Sequence, residues 1–223
     1  MSAVLGPIHQ WMWSKIKLVQ SREEALLEAL YEKFGADAEA VAGKPRPSSL
    51  PPKPEVPLGE LIGEYNIHYW LNNAIQEIET SEAKLVTDFI AKYGDEALGV
   101  IRETFRAEGR KSGEMASVDQ EMRRSTARGG YELLNSVMLD GMPCDQVTAV
   151  PEAGDTRAVL IHSACNHLEH WKAAKADVAV MCKLNGEWVA GVMEAINPKF
   201  SHAREAAIAL GQPQCKDVFT LAQ

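Results

Sequence analysis

With 223 residues, 46% apolar and 24% charged, the chain has the composition of a globular protein able to bury a core without disulfide or metal staples. Its formal charge of −8 argues against a nucleic-acid binder, which presents a basic face. No apolar run approaches the roughly 18 residues that span a bilayer, so no membrane partner is expected.

The opening stretch, "MSAVLGPIHQWMWSKIKLVQ", lacks a positive start, a long apolar core and a small-residue cleavage site. No export signal is read, and a cytoplasmic location with reduced thiols is expected. Next, "QSREEALLEALYEKFGAD" predicts a helix, with Ser21 and Glu24 in capping-box spacing and Gly35 as its stop. Residues 43–60 hold six of the eleven prolines. Proline fixes φ and lacks a backbone donor, so residues 43–57 are expected to form an extended linker or arm. The arm sets a helical element at 1–42 apart from a main domain at 58–223, and a homo-oligomer clasped through it is one expected use.

From Leu58 to about Leu139 the apolar spacing is helical. "LGELIGEYNIHYWLNNAIQEIE", "SEAKLVTDFIAKYG", "DEALGVIRETFRAEG" and "SVDQEMRRSTARGGYELLNSVM" read as successive helices, the last starting at Ser117 with Gln120 in capping-box spacing. Within the first, Glu60, Glu64, His68 and Asn72 fall four residues apart and predict one polar face, either solvated or lining a pocket. Gly129 and Gly130 mark a kink or a close approach. After Pro143 the texture changes. Two β-rich runs, 146–150 and 156–163, flank the turn "PEAGD"; two helical stretches follow; two more strands flank "GQPQ". The order is ββ–αα–ββ after a helical region. It predicts an α+β fold, a helical N-terminal part followed by a small antiparallel β-sheet packed with helices.

The chemistry-bearing residues crowd into this last part. "HSACNHLEHW", from His162 to Trp171, holds three of the six histidines and Cys165. His167 and His170 are three apart and share a helix face. Histidine is the commonest acid–base group near neutral pH, and nitrogen and sulfur ligands also suit Zn²⁺. Cys165 stands near a predicted helix start and two histidines, a setting that lowers a thiol pKa. Cys182 lies in an apolar helical run, where a cysteine is either a small buried hydrophobe or a nucleophile. Alternation on the last strand points Cys215 to the same side as Asp217 and Phe219. Cys144, Cys165, Cys182 and Cys215 form no CxxC pair, and no GxGxxG, P-loop or GxSxG is present.

These elements carry a family pattern: a cysteine before a short helix ("ACNHLEHWKAAK"), a cysteine in an apolar helix ("AVMCKLNGEW"), and Gly-x-x-x-Cys on a hairpin with an aromatic four residues on ("LGQPQCKDVF"). Over residues 145–221 the chain resembles the L-2-amino-thiazoline-4-carboxylic acid hydrolase family, with Cys165, Cys182, Gly211 and Cys215 at the motif positions. Where the family often has Asp, three residues after the middle cysteine, this chain has Asn185, so an acid's role there falls to Glu187 or another group. The resemblance implies a hydrolase that opens a small heterocycle, a cyclic amidine, amide or thiazoline carboxylate, at a C–N bond. Such ring opening passes through a tetrahedral intermediate and needs a nucleophile, donors for the developing charge and an acid for the leaving nitrogen. Cys182 or Cys165 is the expected nucleophile, His167 or His170 the base and acid, and Asn185 the oxyanion donor. His162, Glu187, Trp188, Cys215 and His68 are expected to contact substrate. No cofactor is expected; the alternatives are a divalent ion such as Zn²⁺ or Mn²⁺ on the 162–170 histidines, or a non-catalytic small-molecule-binding domain.

Overall fold

The computed structural model describes residues 5–42 and 56–222. Helix α1 (Pro7–Phe34) starts well before the Ser21–Glu24 pair. The reason is its apolar stripe: Met12, Trp13, Ile16 and Val19 continue into Leu26 and Leu30, all buried, so Ser21 sits in mid-helix and caps nothing. Gly35 ends it at φ 63°, followed by α2 (Ala36–Ala42). Most of the expected arm, residues 43–55, lies outside the described residues.

Helix α3 (Leu58–Ile62) stops at Gly63, whose φ is 55°, and Asn66 then caps α4 (Ile67–Tyr93) by accepting a 3.0 Å bond from the Tyr69 N–H. That break overturns the single polar face: Glu60 belongs to α3, Glu64 to the turn, and His68 and Asn72 to α4, all four exposed. Conversely, α4 runs through the boundary expected near Ser81. Gly94 separates it from α5 (Asp95–Ala116). The helix expected from Ser117 begins later. Ser117 closes α5, a single turn α6 (Glu121–Arg124) follows, and Thr126 caps α7 (Ala127–Val137) by accepting from Gly129 N–H. The glycine pair serves close approach rather than a kink: a Cβ on Gly130 would lie 2.4 Å from the Phe200 ring.

The second half follows its predicted order. Strands β1 (Thr148–Ala153) and β2 (Arg157–His162) form a hairpin; α8 (Leu168–Ala173) and α9 (Val178–Ile196) follow; β3 (Phe200–Ala206) and β4 (Cys215–Leu221) complete an antiparallel sheet of order β1-β2-β4-β3. The fold is α+β. Asp177 caps α9 by accepting from the Ala179 and Val180 N–H groups. Helix α9 lies closely along α5 because the seam is glycine. A Cβ on Gly109 would stand 2.2 Å from the Trp188 carbonyl oxygen, and one on Gly191 2.3 Å from that of Arg106. Two apolar clusters result. One packs α5, α7, α9 and the sheet around Phe105, Trp188 and Phe219, while the other joins the first half of α1 to α3 and the start of α4 through Trp13, Leu71 and Ile75. Polar side chains lie between the layers.

Candidate active site

The site is assembled from four elements. Helix α4 brings Glu79, a carboxylate on the helix's buried stripe, 5% exposed. The turn into α8 brings His167, and α8 itself His170. Both rings turn Nδ1 to Glu79: His167 at 2.9 Å from Oε1 and His170 at 2.7 Å from Oε2. Burial alone would raise the Glu79 pKa, but the charge of His167 and the hydrogen bonds of both rings outweigh it and hold the group at about 2. Glu79 is therefore an acceptor on both oxygens, and both Nδ1 atoms donate. His167 is also stacked on Trp171, with centroids 5.1 Å apart.

Beyond His167 the chain of pairs continues. Its Nε2 lies 3.8 Å from Asp140 Oδ1, and the other oxygen of Asp140 accepts from Nε2 of His162, at the end of β2. Asp140 follows α7 and precedes Gly141, whose φ of 66° turns the chain beneath Asn166; the Asn166 amide donates to the Asp140 carbonyl at 3.1 Å. Burial opposes ionisation of Asp140, yet the hydrogen bond and charge of His162, with the charge of His167, keep its pKa below the ordinary value. For His167, burial pulls the pKa down, but Glu79 and then Asp140 raise it above the usual imidazole value. The sequence His170–Glu79–His167–Asp140–His162 is thus an alternation of imidazoles and ionised carboxylates.

His162, Asp140 and His167 line a narrow cavity of about 30 Å³, together with Cys165, Cys182, Cys215, Asn185 and Arg204. That is room for a water molecule or two, not for an organic ring. Burial pushes the Cys165 thiol up to about 11 and raises that of Cys215. Both are neutral thiols at physiological pH, contrary to the activation expected for Cys165; the backbone N–H groups of His167 and Leu168 at the start of the following helix favour its thiolate, but burial outweighs them. Cys182 is 5% exposed and receives the Arg204 guanidinium at 3.4 Å from its sulfur and 3.1 Å from its carbonyl. Arg204 is fixed from behind by Asp217, its cross-strand partner, which also accepts from His202 at 2.7 Å. The other arm of Arg204 reaches Asn185 Oδ1 at 3.4 Å, leaving the Asn185 amide nitrogen to donate.

Of the residues singled out in the sequence, the structure brings Cys165, Cys182, Cys215, His162, His167 and Asn185 to one cavity. His170 stands behind Glu79. Trp188 is buried under Arg22 beside a smaller void of about 20 Å³, shared with Glu79, Glu82 and His167. Glu187 is elsewhere, bonded at 3.0 Å to Arg106 on the far side of α9. His68 is exposed at the start of α4, edge-on to His9. The carboxylates that serve the cavity are instead Asp140 and Asp217, with Glu79 behind. Glu79 and Glu82 had a legible signal, since they interrupt the apolar stripe of α4 at core positions. Asp140 had none: Asp-Gly-Met-Pro at 140–143 reads as an ordinary turn.

Among the described residues, no three His, Cys, Asp or Glu side chains are grouped so as to hold a metal ion. His162 pairs with Asp140 while His167 and His170 pair with Glu79, so the three rings do not face a common point. No described helix is long and apolar enough to cross a membrane. Searches against protein-family models, curated proteins and solved structures find no match to the chain.

Proposed function

We propose that the protein is a hydrolase that opens a small cyclic amide or amidine at a C–N bond, using water activated by histidine–carboxylate pairs rather than a cysteine nucleophile. The observation that carries this reading is the placement of two imidazoles, each backed by an ionised carboxylate, on one cavity. The resemblance of residues 145–221 to a ring-opening hydrolase family supports the reaction class.

In the proposed reaction, His162 has its Nε2–H on Asp140, and its Nδ1 takes a proton from water as the water oxygen bonds to the ring carbon. Asn185 and Arg204 donate to the oxyanion of the tetrahedral intermediate. The C–N bond breaks as His167, kept protonated by Glu79, gives its proton to the leaving nitrogen. His162 then releases its Nδ1 proton to water and His167 Nε2 takes one back from water, while Asp140 keeps the Nε2–H of His162 in place. One water is consumed and the protein ends as it began. The cavity must widen to admit the ring. Cys165 and Cys215 then serve as small, neutral packing groups around the substrate.

A panel of cyclic amides, amidines and thiazolines, followed for ring opening by mass spectrometry, tests this directly. His167→Asn and Asp140→Asn are each expected to lower kcat by about 10²–10⁴-fold, while Cys165→Ser retains most activity. Loss of activity in Cys165→Ser with His167→Asn unaffected overturns the mechanism. Saturable binding of ring compounds without turnover marks a sensing domain instead.

A further inference from the structure

On the opposite side of α9 from the histidines lies an open cleft of about 550 Å³, bounded by α5, α9, β3 and the turn that carries Leu210. Its size is that of a small-molecule site. Four cationic side chains line it, Arg102, Arg106, Lys183 and Arg204, against one carboxylate, Glu187. Two of the cations are engaged. Arg106 bridges Glu187 at 3.0 Å and Glu194 at 3.2 Å, and Arg204 is bonded to Asp217. Arg102 and Lys183 form no ion pair with any described residue. Between the charges the wall is apolar: Leu98, Val180 and Leu184, with Leu210 at the rim, 53% exposed. A concentration of positive charge over an apolar wall stands out on a chain of net charge −8.

We propose that this outer cleft is a binding site for a small amphipathic anion, its head between Arg102 and Lys183 and its hydrocarbon body on Leu98, Val180 and Leu210. Two cations at the margin of a low-dielectric wall attract an anion more strongly than the same charges on an open surface. The apolar wall excludes a bare inorganic ion as the best occupant, because only a ligand with a body gains by covering it. The head is a carboxylate or a phosphate; both accept from a guanidinium and an ammonium. The site is independent of the hydrolytic reading, since neither Arg102 nor Lys183 touches the inner cavity.

Isothermal titration of the whole protein with decanoate, decyl phosphate and decanol is the test. One or both anions are expected to bind at least about tenfold more tightly than decanol, with affinity falling as salt is added; the tighter of the two names the head group. Arg102→Gln/Lys183→Gln is expected to lose about tenfold in anion affinity or more while leaving decanol binding unchanged. Leu210→Asp is expected to weaken all three ligands. Decanol binding as tightly as the anions, an unaltered affinity in the double variant, or no binding by any of the three overturns the proposal. Both variants lie at exposed positions, so an unchanged thermal midpoint confirms that the comparison is between folded proteins.

Discussion

Two cavities share the Cys182–Arg204 wall and could hardly be less alike. The inner one, about 30 Å³, is ringed by imidazoles and ionised carboxylates that satisfy one another. The outer one, about 550 Å³, has space, an apolar wall and two cations without an ion pair among the described residues, but its histidine, His202, is tied up on Asp217. The inner region has acid–base groups without room; the outer has room without acid–base groups. Burial explains the contrast. A charge taken out of water must be paired, and pairing consumes both lone pairs and space, whereas an exposed arginine or lysine remains hydrated and available. The buried acid–base groups and the open cationic cleft therefore lie on opposite sides of one helix.

The sharpest way to break this contrast is Glu79→Gln, which leaves a buried protonated imidazole without its anion. A loss of about 3–5 kcal/mol in urea unfolding is expected, with the His167 titration, followed by NMR, moving to lower pH. A loss below about 1 kcal/mol would place the inner network among ordinary surface pairs. The same pair predicts pH dependence. Glu79 is depressed to about 2 from an ordinary 4.5, so its contribution is whole above about 4.5 and disappears as pH falls toward 2. His167 is raised above 6.5, so its contribution is whole below that value and is lost as pH rises through the elevated one. Both describe one interaction from two sides and are not summed. Stability should peak between about pH 4.5 and 6.5 and fall by on the order of 2–3 kcal/mol on acidification; a flat profile across pH 3–7 contradicts the pairing.

Smaller effects separate the two regions further. Gly191→Ala pushes α9 from α5 and distorts the floor of the outer cleft, at an expected cost of about 1–3 kcal/mol, while the His167 titration stays in place. The smallest response belongs to Arg102→Gln and Lys183→Gln, each within about 0.5 kcal/mol in stability. A large loss from either would mean that these cations are structural, not held in reserve for a ligand.

Much of the scaffold could be read locally. Gly35 and Gly94 stop helices where the stripes run out, alternation places Cys215, Asp217 and Phe219 on the inner side of β4, all buried, and the first hairpin forms, although β1 runs through Pro151–Ala153 and only Gly154 and Asp155 of "PEAGD" lie in the turn. The misplaced starts share one cause. Ser21 and Ser117 each resemble a cap and a new helix is expected at Ser81, but the apolar stripes of α1 and α4 continue through Ser21 and Ser81, and Ser117 closes α5. A serine near a glutamate is a weak local signal beside a continuous buried face.

By itself, the sequence determined the α+β order, the gathering of three histidines and a cysteine between β2 and α8, and the set of cysteines that the fold draws to one cavity. Only tertiary structure decided what those groups became. Glu79 meets His167 across 88 residues and Asp140 meets His162 across 22, and the first of these long-range pairs holds the His167 pKa above the usual imidazole value. The same packing buried Cys165 and turned an expected thiolate into a neutral thiol. Local propensity fixes where a side chain sits on its own helix or strand. Its ionisation depends on desolvation and on neighbouring charges, and both are supplied by distant parts of the chain.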